Sequence, residues 1–251
     1  MFEVLILSAT QGITEFLPVS SSSHLIIIGK LLNISFSNLI LDISLHVGSF
    51  FAVIIYFRSE LINFIKNKKL FLLVCISSLP VMIFGFLLIK FNMLENLRSV
   101  QLIGWTTIIF GILLYIADKN QINKKIDKDF NLIAALIIGF IHMISIIPGV
   151  SRSGIAITGA RFIGFDRIES TKISFLLSIP TLFIVSIYGF YSLYKTNNLE
   201  FSQVNLMSII LSFIFSYLTI KYFLVFLKKF SFTFFVVYRL LLGIIFLIYV
   251  S

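Results

Sequence analysis

Hydrophobicity along the chain falls into long apolar runs separated by short polar stretches. Six runs, roughly 39–57, 70–90, 100–117, 173–194, 206–227 and 232–250, match the length at which an apolar helix crosses a bilayer. Two regions break the pattern. In 1–32, short apolar pieces (Val4–Leu7 and Leu25–Leu32) flank Gln11, Glu15, Pro18, four serines at 20–23 and His24. In 131–160, two apolar halves flank Pro148-Gly149-Val150-Ser151-Arg152-Ser153-Gly154. Neither half of either region is long enough to span. Each therefore reads as two half-helices meeting at a polar, Pro-broken tip, a re-entrant hairpin. Such backbone is tolerated at membrane depth only where protein or water covers it.

Composition agrees. The 251 residues are 59% hydrophobic and 12% charged, against about 45–50% and about 25% in soluble domains. The expected fold is an all-α polytopic membrane protein. Cys75 is the sole cysteine, which excludes an intramolecular disulfide and any cysteine-based structural metal site. Met1-Phe2-Glu3-Val4 has no basic n-region, so no cleaved signal peptide is expected. The net charge of +9 does not call for nucleic acid, because its position explains it. Fourteen of the 20 Lys and Arg lie in 58–69, 118–130, 161–172 and 221–229. With those stretches on the cytoplasmic side, all six spans alternate correctly.

That orientation makes both ends of 1–32 face outward and both ends of 131–160 face inward. The charge pattern thus demands the same hairpins that the broken apolar runs suggest. The architecture expected is a 3+3 inverted repeat: residues 1–117, a cytoplasmic linker 118–130, and residues 131–251. A weak echo accompanies it, with Gly12-Ile13-Thr14-Glu15 and Pro18-Val19-Ser20-Ser21 against Gly139-Phe140-Ile141-His142 and Pro148-Gly149-Val150-Ser151. Sites of inverted-repeat membrane proteins form where broken helices meet near the midplane. Glu15, Ser21 and His24 are therefore expected near Arg152.

Arg152 is the only charged residue between Asn131 and Ala160. A cation at membrane depth costs about 2.5–3.5 kcal/mol on insertion scales, so it has a partner or a task. Flanking serines and helix-breaking Gly and Pro supply hydroxyls and free N–H groups, a phosphate-binding set. The plainer alternative is a kinked helix whose Arg pairs with one carboxylate, Glu15 being the candidate. Gln11 and Glu15, four apart, share a helix face and offer oxygen ligands for Mg²⁺ or Ca²⁺ alongside phosphate oxygens. Ser21 beside His24 could be an activated nucleophile, His24 could attack itself, or both could make only structural hydrogen bonds. Asp42 and His46 in the first span read equally as lining or as a structural pair. His142 reads as a supporting group and Arg239 as a snorkelling or structural arginine.

The stretches Gly12-Ile13-Thr14-Glu15-Phe16-Leu17-Pro18-Val19-Ser20-Ser21-Ser22-Ser23-His24 and Pro148–Gly154 resemble the two signature motifs of the integral-membrane, bacitracin-resistance type of undecaprenyl-diphosphate phosphatase. Leu45-His46-Val47-Gly48, Ser174–Pro180 and Tyr238-Arg239-Leu240 are similar to further family positions, so the resemblance runs the length of the chain. It implies hydrolysis of a polyprenyl diphosphate lipid with a divalent cation, in the bacterial cytoplasmic membrane, at a site facing outward. That reaction recycles the lipid carrier of peptidoglycan synthesis. By position the resemblance assigns Glu15, Ser21, His24 and Arg152 to catalysis and Gln11 and Glu15 to the cation. Ser151, Arg152 and Ser153, with Gly149 and Gly154, are assigned to the substrate. It implies the bilayer and the lipid as partners, no nucleic acid, and is compatible with a homo-oligomer. Three positions depart from the family pattern: Gln11 for the first acid, Ser23 for the usual Gly, and Ala156 for the usual Thr. A lipid-phosphate flippase is the competing function, since inverted repeats are common in transporters.

Overall fold

A computed structural model describes residues 2–31, 39–66, 68–91, 93, 97, 99–195 and 203–250. The end of the first hairpin at Leu32 and the loop residue Arg98 lie outside the described residues. The helices are α1 (Phe2–Thr14), α2 (Ser21–Leu31), α3 (Leu39–Tyr56), α4 (Arg58–Lys66), α5 (Lys68–Lys90) and α6 (Val100–Asp118). They continue with α7 (Ile126–Asp129), α8 (Leu132–Met143), α9 (Arg152–Ile163), α10 (Arg167–Lys195), α11 (Gln203–Leu227) and α12 (Thr233–Val250). Among the described residues the one β feature is an isolated bridge between Lys124 and Phe165.

Four helices, α5, α6, α10 and α11, are long and apolar enough to cross a membrane, and α1, α3, α8 and α12 are shorter apolar helices. Large apolar side chains stand exposed on the long helices, among them Ile83, Phe86, Ile109, Phe190 and Tyr222. In water such a surface would aggregate; in a bilayer it is the lipid-facing side. The chain is a multi-pass, all-α membrane protein.

A helix–turn–helix stands at each of the two broken runs. α1 ends at Thr14 and α2 starts at Ser21; α8 passes through a 3₁₀ turn at Ile144–Ile146 to a tip before α9. Packing across the halves is reciprocal: α1 lies against α11 and α8 against α5. Each crossing is made at a glycine. A Cβ on Gly12 would fall 2.6 Å from Phe215 Cβ, and one on Gly139 would fall 2.5 Å from the Ser77 carbonyl oxygen. The Gly12/Gly139 echo in the sequence is therefore a matched pair of close helix approaches.

The core is aromatic. Phe16, next to Glu15, is buried and meets Phe175 edge-on at 5.3 Å. Phe57 packs on Phe175 as well, and Phe223 joins Phe175 to Phe232. Edge-to-face pairs add about 0.5–1.5 kcal/mol each beyond area burial. This cluster fixes the first tip on α10 and so fixes Glu15. The linker 118–130 is no free tether. The Lys124 N–H donates to Gly164 O at 2.9 Å, and Asp118 accepts from Arg167 Nε at 2.7 Å and from the Phe232 N–H at 3.2 Å.

Candidate active site

At the first tip the chain leaves α1 with Glu15, turns through Leu17-Pro18-Val19 and re-enters helix at Ser21. Ser20, just before α2, has φ 73°. At the second tip Gly149 has φ 89° and Ser151, just before α9, has φ 72°. Left-handed backbone is uncommon for a residue bearing a Cβ and clusters at functional sites. Val19 and Val150 precede the two strained serines and both are buried. The tips thus correspond as Val19-Ser20-Ser21 to Val150-Ser151-Arg152. This corrects by one residue the register read from the prolines, because Gly149 adds one residue between Pro148 and the left-handed serine. The positive φ falls on Ser20, so Ser23 in place of glycine costs the tip no conformational freedom. Ser23 is helical, and its hydroxyl lies 2.9 Å from that of Ser20.

The tips meet at one carboxylate. Glu15 Oε1 accepts from an Arg152 terminal nitrogen at 3.1 Å. Its Oε2 accepts from Ser21 Oγ at 2.7 Å and from the Gln11 amide at 3.0 Å. The Glu15 side chain is 3% exposed while that of Arg152 is 27% exposed. The pair is therefore desolvated on one side only, and Arg152 keeps free donors. The same Gln11 nitrogen lies 3.0 Å from His46 Nδ1, and His46 Nε2 is 3.8 Å from Asp42. Asp42 and His46, read from sequence as lining or structural, extend the polar chain from Glu15 to the protein surface.

These groups border a cavity of about 510 Å³ lined by Gln11, Glu15, Ser20, Ser21, Asp42, His46, Ser151 and Arg152, with Leu25, Ile26, Gly85, Ile89 and Ile146 as apolar wall. A polar floor and an apolar wall suit an amphiphile. Another cavity of about 560 Å³ lies among Asp118, Lys119, Arg161 and Arg167. There Asp118 is taken up by Arg161 and Arg167, and among the described residues no hydroxyl donates to its carboxylate. The first is the candidate site.

Not every expected residue lines it. His24 Nδ1 lies 2.7 Å from Ser20 O, and His24 Nε2 is 2.6 Å from the hydroxyl of Tyr238, whose ring stacks on it. With both ring nitrogens engaged, the Ser21–His24 hydrogen bond is not formed; Ser21 donates to Glu15 instead. Gly149 and Gly154 sit behind the cavity. A Cβ on Gly149 would fall 2.1 Å from Thr106 Oγ1, so this glycine is needed for close approach to α6. The Gly154 N–H is used by Ser151 Oγ, which caps α9 at 3.1 Å. Ser153 Oγ donates to Leu17 O at 2.7 Å and ties the tips together. Ala156 is buried in the core, and Thr158 Oγ1 bonds the Gly154 carbonyl of its own helix at 2.7 Å, so Thr158 does not take the place of a threonine at 156. His142 is buried, and its Nδ1 has no hydrogen-bond partner among the described residues.

Arg239 is not a snorkelling residue. It is fully buried and donates to carbonyls of both tips and of α6. The sequence signal that exposed Arg152, a charge inside an apolar run, was equally available for Arg239.

The donor set limits what cation could fit. Among the described residues Gln11 Oε1 is buried without a hydrogen-bond partner, and Glu15 is the carboxylate that its amide meets. Among the described residues no three His, Cys, Asp or Glu converge. A cation caged by protein alone does not fit. One that brings phosphate and water oxygens does, as Mg²⁺ does at one or two carboxylates.

The chain matches the family described as Bacitracin resistance protein BacA over residues 4–245. It is similar to the undecaprenyl-diphosphatase of Pelagibacter ubique, at 44% identity over 98% of this chain and 96% of that protein. Similar proteins of the same name occur in Saccharophagus degradans, at 39% over 94% and 93%, and in Jannaschia, at 36% over 99% and 98%. The hairpins, the paired tips and a match spanning nearly every residue place the chain in the bacitracin resistance protein BacA family.

Proposed function

We propose that this protein hydrolyses undecaprenyl diphosphate to undecaprenyl phosphate and inorganic phosphate. The observation that carries the reading is Ser21 Oγ donating to a Glu15 carboxylate whose other oxygen holds Arg152, beside an amphiphilic cavity. The diphosphate sits on the polar floor, and its isoprenoid tail leaves along Leu25, Ile26 and Ile89. Arg152 clamps the terminal phosphate with Ser151. A guanidinium fork fits phosphate oxygens and draws charge where a loose phosphoryl transition state develops it.

The Ser21 hydroxyl proton passes to Glu15, and Ser21 Oγ bonds the terminal phosphorus. The bond from that phosphorus to the bridging oxygen breaks, and undecaprenyl phosphate leaves with the electron pair. Glu15 gives the proton from Ser21 up to solvent and then takes one from water; the water oxygen bonds the phosphorus, the bond from phosphorus to Ser21 Oγ breaks, and Glu15 returns the proton to Ser21 Oγ as inorganic phosphate forms. His24, held by Ser20 O and Tyr238, orients the first turn of α2 and hence Ser21. Gln11 Oε1 and Glu15 are the groups that would hold a divalent cation. Such an ion neutralises phosphate charge.

The basic stretches 58–69, 118–130, 161–172 and 221–229 face the cytoplasm in this reading, and the cavity opens to the outer side of the cytoplasmic membrane. The halves 1–117 and 131–251 form an inverted repeat. Reciprocal packing of α1 on α11 and α8 on α5, and the matched φ of Ser20 and Ser151, support it. A flippase would need Arg152 and Ser151 to grip its cargo but has no use for a serine hydroxyl set on a carboxylate.

Purified protein in detergent should release phosphate from undecaprenyl diphosphate in Mg²⁺ or Ca²⁺, stop when the cation is chelated, and resume when it is restored. Ser21→Ala should abolish release, and wild-type protein quenched during turnover should carry phosphoserine. Release at the wild-type rate by Ser21→Ala would assign the attack to another group. No release by the wild type would end the hydrolase reading.

A further inference from the structure

α12 presents two consecutive residues to the tips. Tyr238 touches His24 of the first hairpin, and Arg239 reaches both hairpins. Arg239 is 0% exposed, the largest fully buried side chain of the described residues. Every hydrogen bond it donates among the described residues goes to a main-chain carbonyl. Nε donates to Thr107 of α6 at 3.2 Å, one terminal nitrogen to Pro18 of the first tip at 3.4 Å, and the other to Gly149 and Val150 of the second tip at 2.9 and 3.0 Å. Its stem lies over Gly111 of α6, where a Cβ would come within 3.2 Å of Arg239 Cβ. Gly154, in the first turn of α9, leaves space that the guanidinium uses, since a Cβ there would lie 2.9 Å from Arg239 Nη1.

A buried cation is costly unless its donors are satisfied and its charge answered. Here carbonyl dipoles answer it, and the carbonyls are those of the segments that break helix. Pro18 and Gly149–Val150 stand just before the two left-handed serines. One planar guanidinium gathers these carbonyls and sets the distance between the tips.

We propose that Arg239 is a positioning residue of the hydrolase site: it holds the two tips at the register where Arg152 meets Glu15 and Ser21. The inference rests on the function proposed above. Arg239 lies behind the tips and acts through the placement of Ser21 and Arg152. Lysine cannot replace it, because a single ammonium does not reach four carbonyls in a plane.

The test compares wild type, Arg239→Lys and Gly111→Ala in phosphate release from undecaprenyl diphosphate, with thermal unfolding in the same detergent. Misplacing reacting groups by about 1 Å costs on the order of 10²-fold in rate. Arg239→Lys should therefore lose roughly that factor in kcat, with KM within about twofold of wild type and a folded population that unfolds cooperatively. Unchanged kcat in folded Arg239→Lys overturns the proposal. So does a loss that appears in KM alone, or one that only tracks the fraction folded. Should Arg239→Lys fail to fold, Gly111→Ala decides, because it keeps the guanidinium and the three nearest atoms to its methyl all belong to the Arg239 side chain, which it displaces. It should lose kcat in the same way, and wild-type kcat there overturns the proposal. Wild-type protein that releases no phosphate sinks the hydrolase reading itself, a different outcome from equal rates in wild type and variant.

Discussion

Glu15 binds three side chains through two oxygens, and most of what the site can do follows from that crowding. Ser21 and Gln11 share one oxygen while Arg152 takes the other. Arg152→Lys keeps the charge and loses the fork; kcat/KM for phosphate release should fall by roughly 10²-fold, the cost of one well-placed donor, and a wild-type value would refute the clamp. Gln11 is the more informative substitution. Its amide donates to Glu15 and leaves Oε1 buried and, among the described residues, unpartnered. Gln11→Glu would set a second carboxylate beside the first, and two like charges seek a cation. The Mg²⁺ concentration giving half-maximal activity should drop severalfold. An unchanged cation titration would mean that position 11 does not face the ion. The pairing of Gln11 with Glu15 was legible from the spacing of four. The meeting of Ser21 with Glu15 rather than His24 was not, because the turn 15–20 decides it.

Helix crossings at glycine set how close the hairpins come to the opposite half. A methyl group at position 12 of α1 would fall 2.9 Å from Ser216 N of α11, and one at position 139 of α8 would meet the Ser77 backbone of α5. Backbone cannot retreat as a flexible side chain can. Gly12→Ala and Gly139→Ala should each lower stability by about 1–3 kcal/mol, seen as a lower Tm in detergent. Gly85→Ala is the contrast: its methyl would find only Ile146 Cδ1 at 3.6 Å, ordinary contact, and Tm should hold. A Gly139→Ala protein as stable as wild type would show that α8 is not tightly packed on α5. The glycines and prolines marked the hairpins in the sequence. The one-residue shift between the tips needed the backbone angles, which single out Ser20, two positions after Pro18, and Ser151, three after Pro148.

Across the whole molecule, the ends of distant segments converge on Asp118 at the basic side. It holds Arg161 of α9, Arg167 of α10 and the Phe232 N–H ahead of α12. Its side chain is 6% exposed, whereas that of Arg167 is 39% exposed, so solvent screens part of the cluster. Asp118→Ala would leave Arg161 buried without its carboxylate. Stability should fall by about 3 kcal/mol, the low end for breaking a buried pair, with thermal unfolding as the measure. Unfolding at the wild-type temperature would show that the carbonyls around Arg161 suffice. Arg161 was counted from sequence only as one of the cytoplasmic charges. Its burial comes with three carbonyls, those of Asp118, Asn120 and Phe165, and no residue pattern announces a carbonyl cage.

The sequence by itself determined the membrane class, the helical spans, the two broken hairpins, and the expectation that Glu15 and Arg152 meet. All of these follow from local composition: apolar length, helix-breaking residues, and charges too costly to bury without purpose. Only the tertiary structure decided which partners those charges take. Ser21 turns to Glu15, His24 to Tyr238, and Arg239 to the carbonyls of both tips. Such partners depend on distances of a few tenths of an ångström, often between segments far apart in the chain. Periodicity carries no information at that scale; packing of α1 on α11, α8 on α5 and α12 on α6 does.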